Sequence, residues 1–209
     1  MMRGRGIILS IFIILLITGC APKTEQDIFY DVQKKLHKME SYTCRVEITS
    51  IGNKGSQKYV MKQWFKKPNR YKLEVISPEN LKGKITLSNG KKVWIYHPGI
   101  EQTWITDEFS NEEQNLFLGY FIKNFLNSEQ VNVNVEGLDD KKYFVIDTDI
   151  PGNHAYYHKE RLWIDMEKMQ PYLLEVFDVK GDKRIEVKYE VFEYNPKLKE
   201  ELFYFQADD

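Results

Sequence analysis

The sequence predicts an α+β fold, in which two helices cover the concave face of a strongly curved antiparallel β-sheet. Two observations predict this class. Segments whose apolar residues alternate with a period of two follow one another between turn signals, enough for about 10–11 strands, and two segments at separate places have a helical period. The 13 Tyr, 12 Phe and 4 Trp residues also favour strands. Residues 27–209 are predicted to form a single domain.

The first element is a helix over residues 25–40. Its apolar residues recur at intervals of three and four, which places them on one face of a helix. They are Ile28, Val32, Leu36 and Met39. Lys34, Lys35 and Lys38 lie away from this stripe, so the helix is amphipathic and covers an apolar surface with one side.

Strands follow from Tyr42, where the apolar period changes from helical to two. Six strands are predicted in this half, over residues 42–49, 57–66, 70–76, 84–88, 91–96 and 101–106. In the second, Val60 and Trp64 share one face and Tyr59, Met61 and Phe65 share the other. Asn89 and Gly90 stand between the fourth and fifth strands, where a type I′ turn joins two antiparallel strands.

A second helix is predicted over residues 111–127. Ser110 is placed to cap it, Glu112 and Glu113 fall in its first turn, and its apolar side continues to Phe125. Five more strands then follow, over residues 131–136, 141–149, 157–165, 172–179 and 184–192.

The N-terminus predicts a lipoprotein signal peptide over residues 1–19. Arg3 and Arg5 precede an apolar run over residues 7–17, which is shorter than the roughly 20 residues that span a bilayer as a helix. Gly19 stands directly before Cys20, an arrangement that resembles the bacterial lipobox. Cys20 is therefore predicted to be the lipid attachment site that anchors the chain to a membrane, and residues 20–26 a short tether.

Composition and motifs argue against a nucleic-acid-binding protein and against an enzyme. A formal net charge of −1 does not suit a nucleic-acid-binding domain. His154 and His158 have an i, i+4 spacing but do not lie on a predicted helix, so they do not indicate a metal site. Cys44 lies on the apolar side of its strand, where a thiol packs as a small hydrophobic group. The sequence therefore predicts neither an enzyme nor a bound cofactor or metal.

Aromatic side chains are the remaining candidates for a site. On strands and on the second helix, they could fill the core, wall a pocket for acyl chains, or contact a partner. The candidate cavity or partner-contact residues are Trp64, Tyr71, Trp94, Trp104, Phe121, Phe125 and Trp163.

The chain resembles the LolA/LolB superfamily of lipoprotein carriers. A helix runs into the first strand, Pro68, Arg70 and Tyr71 form a Pro-x-Arg-aromatic turn, and Asn89-Gly90 forms the following hairpin. The resemblance covers essentially the whole of the chain after Cys20. It implies a half-open β-barrel with a helical lid and a non-enzymatic function.

Within this superfamily the chain is most similar to the GerS group of germination lipoproteins from spore-forming clostridia. That similarity implies a protein anchored on the outer face of a forespore or cell membrane, which binds and activates a CwlD-like N-acetylmuramoyl-L-alanine amidase for muramic-δ-lactam formation in the spore cortex. The alternative is a carrier that binds the acyl chains of a lipid or lipoprotein in the half-barrel. The two functions predict different interiors: a carrier needs an open cavity in the half-barrel, whereas a cavity filled by the protein's own aromatic side chains favours the amidase-binding function.

Overall fold

A computed structural model describes residues 24–107, 114–128, 130–152 and 154–205. The predicted signal peptide, Cys20 and the predicted cap Ser110 lie outside these ranges. The described helices are α1 (Glu25–His37) and α2 (Leu118–Asn127). The described strands are β1 (Ser41–Gly52), β2 (Gly55–Lys66), β3 (Arg70–Ser77), β4 (Ile85–Asn89), β5 (Val93–His97), β6 (Gln102–Thr106), β7 (Val131–Leu138), β8 (Lys141–Asp149), β9 (Lys159–Asp165), β10 (Gln170–Phe177) and β11 (Lys183–Tyr194).

The strands form one antiparallel sheet in the order β6-β5-β4-β3-β2-β1-β11-β10-β9-β8-β7. Each half is a meander, and the two halves join where β1 pairs with β11. The sheet does not close, because β6 and β7 lie at opposite edges and do not pair with each other. The predicted fold class, a large open antiparallel sheet with two helices, is confirmed.

The alternation of β1 separates the two faces of the sheet. Tyr42, Val46 and Ile48 are buried in the same core as the apolar stripe of α1, and we call this side the helix-covered face. Arg45 and Glu47 point to the opposite side, which we call the outer face. Because side chains alternate along a strand and stay level across paired strands, the register assigns every strand residue to one of these faces.

Helix α1 begins at a capping box. The Thr24 hydroxyl accepts a hydrogen bond from the Asp27 backbone N–H, and the Asp27 carboxylate accepts one from the Thr24 N–H at 3.0 Å. Its buried residues are Ile28, Val32 and Leu36, as the sequence predicts. The helix ends at His37, and Met39 follows it into the core with no exposed surface.

Helix α2 is shorter than predicted. Residues 111–113 of the predicted helix, with Glu112 and Glu113, lie outside the described ranges, and the described helix begins at Leu118 after a non-helical stretch at residues 115–117. Phe117 has an extended backbone and makes no side-chain capping bond. Its ring is buried and lies 4.7 Å from the Tyr71 ring, centroid to centroid. This tertiary contact is made at the point where the chain passes from a turn at residues 115–116 into the helix.

A C-terminal strap, residues 196–205, crosses the outer face of β3 and β4. It contains a short 3₁₀ helix, Glu200–Phe203. Glu200 forms ion pairs with Lys66 and Arg70, and Phe203 is completely buried. The strap therefore gives the β3–β4 region a second apolar layer on the side opposite the helices.

Candidate functional site

A cavity of about 770 Å³ lies between α2 and the β3–β5 region of the sheet. This volume falls within the roughly 300–1,000 Å³ of small-molecule sites. Phe65, Tyr71 and Val93 line the sheet side, and Phe117 and Ile122 line the opposite side. Its inner wall is thus mainly apolar and aromatic.

The mouth of the cavity is more polar than its wall. Lys67, Lys91 and Lys123 all contribute to the lining. Lys67 is already engaged, since its Nζ donates to the His37 carbonyl at 2.8 Å and pairs with Glu40 at 3.6 Å. Lys91 and Lys123 are exposed at the surface, and the exposed Asp107 also lines the cavity, so the polar part of the lining carries charges of both signs.

Gly119 determines how closely α2 approaches the sheet. A Cβ atom at this position would lie 2.5–2.9 Å from three atoms of the Phe65 ring. Phe65 is itself held between neighbours, with its ring stacked 5.3 Å from that of Tyr42. Gly119 could not be predicted as important, because nothing in the helical sequence pattern distinguishes a glycine tolerated in a helix from one required for packing.

The seven candidate aromatic residues do not come together at one site. Tyr71 lines the cavity. Phe121 and Phe125 lie on the buried side of α2, and the centroids of their rings are 6.1 Å apart. The middle of the half-barrel is therefore filled by the protein's own side chains, while the cavity remains beside β3–β5.

The four tryptophans are divided between the two faces. Trp64 pairs with Thr43, Trp94 pairs with Leu87, and Trp163 pairs with Val145. The register places these three on the outer face, so they do not line the half-barrel. Trp104 pairs with Ile95 on the helix-covered face, but it lies on an edge strand and is 46% exposed. A role for any of them in partner contact stays a prediction.

The Cys44 thiol is a core group. It is 2% exposed, its Sγ lies 3.9 Å from Gln63 Oε1, and burial raises its pKa well above the usual value. Gln63 also accepts a bond from the Tyr42 hydroxyl and donates to the Leu116 carbonyl. A protonated, enclosed thiol is a poor nucleophile. The role of this cluster is structural, because its hydrogen bonds join β1 and β2 to the segment before α2.

Glu160 is the most unusual titratable group in the core. Its side chain is completely buried on β9, and Asn124 of α2 donates a hydrogen bond to its Oε1 at 2.7 Å. Its Oε2 makes no hydrogen bond within the described part of the chain. Burial raises the pKa of this carboxyl to about 8, although the bond from Asn124 acts in the opposite direction.

The described residues contain neither a candidate metal site nor a helix that could span a membrane. Within the described ranges, no three His, Cys, Asp or Glu side chains cluster in a way that could hold a metal ion. None of the helices in those ranges is long and apolar enough to cross a membrane. His154 and His158 lie in the segment before β9, and His154 is exposed there.

Sequence and structure comparisons relate the chain to known proteins. A family model described as "Sporulation protein YdcC-like" matches residues 3–203. The chain belongs to this YdcC-like family. The sporulation protein YdcC of Bacillus subtilis (strain 168) is 24% identical over 193 residues, which cover 91% of this chain and 56% of that protein.

A second relative links the family to lipoprotein carriers. The outer-membrane lipoprotein carrier protein of Pectobacterium carotovorum subsp. carotovorum (strain PC1) is 30% identical over 86 residues, 39% of this chain and 41% of that protein. The predicted resemblance to the LolA/LolB superfamily is confirmed. The chain spans about half the length of the curated relatives it matches.

A solved structure also resembles this YdcC-like chain. It is the structure of the CwlD amidase from Clostridioides difficile in complex with the GerS lipoprotein, of which one chain matches at 35% identity with a TM-score of 0.51. The match covers 85% of this chain and 100% of that chain.

Proposed function

We propose that this YdcC-like chain is a membrane-anchored, non-enzymatic lipoprotein that binds and activates a cortex-modifying N-acetylmuramoyl-L-alanine amidase. Its role would be to support muramic-δ-lactam formation and, through it, spore germination. The observation that carries this proposal is the 35% identity over all of a chain from the CwlD–GerS complex.

The interior of the protein supports a function exercised at the surface. Phe121 and Phe125 occupy the middle of the half-barrel, and the Cys44 thiol is enclosed and protonated. Neither feature supplies a reacting group to a substrate. A protein of this kind acts by holding a partner, and the sheet offers two large surfaces and two edges for that purpose.

The location of the chain is part of the same proposal. Relatives that function in sporulation and as lipoprotein carriers support an extracytoplasmic site. We place the anchor at Cys20, where two acyl chains would hold the domain stably on the outer face of a forespore or cell membrane.

The proposal is tested by co-expressing the full chain with a CwlD-like amidase in detergent-solubilised form. We expect the two proteins to co-purify as a stable complex, and the amidase to release more product from peptidoglycan than it does alone. Mass spectrometry of digested cortex should then show muramic-δ-lactam only in strains that contain both proteins. Absence of both the complex and the activity increase would contradict the proposal.

A second candidate function is supported by the 770 Å³ cavity, whose apolar wall suits an acyl chain. Lipid extracted from the purified full chain distinguishes the two. A carrier retains stoichiometric lipid, which a larger side chain in the Val93→Phe variant would displace from the cavity. A protein that purifies without lipid and still activates the amidase excludes the carrier function.

A further inference from the structure

The two edges of the sheet differ in how they are protected. β7 forms one edge, and α1 packs against it. β6 forms the other, and the four residues from Gln102 to Ile105 along it are exposed. An edge strand presents unpaired N–H and C=O groups, and proteins normally protect such a strand with charged side chains, proline, a bulge or a covering element.

β6 has none of the protective features that its own sequence and register could provide. Its five residues, QTWIT, include no charge and no proline, and its pairing with β5 runs without a register shift. Trp104 on the helix-covered face is 46% exposed, and Ile105 on the outer face is 60% exposed. Within the described ranges β6 pairs only with β5, so the four residues from Gln102 to Ile105 offer apolar side chains on both faces of this sheet edge.

The charges beside β6 define what could pair with it. Glu101 precedes the strand and Asp107 follows it, and both are exposed. Neither forms an ion pair within the described ranges. An added strand that ran along β6 would place its own ends next to these carboxylates, where basic side chains are favoured and acidic ones are repelled.

We infer that β6 is a docking edge for an extended segment of a protein partner. The partner segment adds as a strand to β6, covers Trp104 and Ile105 with apolar side chains, and carries Lys or Arg where it passes Glu101 and Asp107. Main-chain hydrogen bonds supply affinity and the two faces supply selectivity. This inference rests on the proposed function in one respect, that the chain works by binding a protein.

The direct test uses two synthetic peptides and the full chain in detergent micelles. KVTVTVK has β-branched residues whose methyl groups can cover both faces of the edge, and it has the basic ends that the edge selects; EVTVTVE differs only in its ends. We expect KVTVTVK to change the tryptophan fluorescence, to slow amide exchange in β6, and to bind at least tenfold more tightly than EVTVTVE. Equal binding of the two peptides, or binding without slower exchange in β6, would overturn the inference.

Matched variants test the edge without depending on a peptide. Ile105→Lys introduces the charge that protected edges carry, and Val191→Lys makes the same change at a residue that is 84% exposed on the central strand β11. We expect Ile105→Lys to weaken KVTVTVK binding at least tenfold and Val191→Lys to leave it unchanged, with both variants folded by circular dichroism.

The amidase separates this inference from the proposed function. If the amidase binds wild type and Ile105→Lys equally, the proposed function holds and the docking edge is wrong. If the amidase does not bind while KVTVTVK protects β6, the docking edge holds and the amidase is the wrong partner. A dimer of this chain that Ile105→Lys dissolves and KVTVTVK does not displace would overturn the inference in favour of a second copy.

Discussion

At the scale of the residue, Gly119 controls the distance between α2 and the sheet. Glycine within a helix normally costs about 1 kcal/mol relative to alanine, so a glycine here needs a compensating gain. The gain is contact, because the Phe65 ring occupies the volume that a Cβ would take. The same residue lines the cavity, so it also influences the width of the cavity.

We predict that Gly119→Ala destabilises the protein by about 1–3 kcal/mol, the usual cost of overpacking a core, although helix propensity alone favours alanine. The measurement is the free energy of unfolding in urea. Gly137→Ala is the control, since a Cβ there meets only the Lys141 carbonyl oxygen at 3.9 Å, and it should change stability by less than about 0.5 kcal/mol. A stabilised Gly119→Ala would show that Phe65 moves freely.

At the scale of the element, the C-terminal strap explains why the apolar residues of β4 are on the outer face of the sheet. Leu73 is buried on the helix-covered face and Leu87 on the outer face. β4 keeps its alternation, but its apolar residues face the strap, while Thr86 and Ser88 lie buried on the helix-covered face. Leu87 and Ile85 line a groove with Leu198 and Leu202 of the strap.

Phe203 is the anchor of this strap, and we predict that Phe203→Ala lowers the free energy of unfolding by about 3–5 kcal/mol, as expected for removing a buried aromatic ring. The neighbouring Tyr204 is 55% exposed, so Tyr204→Ala should cost far less. Urea denaturation of both variants, together with limited proteolysis at the C-terminus, measures the difference. Equal costs for the two substitutions would mean that the strap contributes little through Phe203.

At the scale of the whole molecule, Glu160 joins two distant parts of the chain. It lies on β9, and its hydrogen-bond partner Asn124 lies on α2. The titratable groups facing it are the phenols of Tyr120 and Tyr189. Burial raises the pKa values of both phenols, and the negative charge of an ionised Glu160 raises them further. No cation is among the groups that affect its pKa, so the core favours the protonated carboxyl.

The global stability should therefore depend on pH. The pKa of Glu160 is about 8 in the folded state and near 4.5 in the unfolded chain, so between these values the folded state holds a proton that the unfolded state releases. The free energy of unfolding then falls as pH rises through this window, by about 1.4 kcal/mol for each pH unit, and levels off above pH 8.

We predict that Glu160→Gln removes this slope, because a glutamine is neutral at every pH and its Oε1 still accepts from Asn124. Urea unfolding at several values between pH 5 and pH 9 measures the difference between variant and wild type. Glu47→Gln, at an exposed outer-face glutamate, serves as the control and should keep the wild-type slope. Parallel profiles for wild type and Glu160→Gln would show that the carboxyl titrates normally.

Much of this architecture could be predicted from local patterns. Period-two alternation located the strands of both halves, and the faces of β2 were assigned correctly, with Trp64 opposite Phe65. Tyr71 was identified as a cavity candidate and lines the cavity. The prediction of one continuous helix was wrong at residues 115–117, where the chain leaves the helical conformation and the buried ring of Phe117 packs against Tyr71.

The sequence by itself determined most of the strands and helices, which side chains share a face, and the α+β class of the fold. Those properties follow from backbone preferences and side-chain periods that act over a few residues. Only the tertiary structure decided that Trp64, Trp94 and Trp163 lie on the outer face, that β6 is the unprotected edge, and that Gly119 and Glu160 are critical. Each of these depends on elements far apart in the chain that pack against one another, and alternation within one strand cannot show which of its faces they cover.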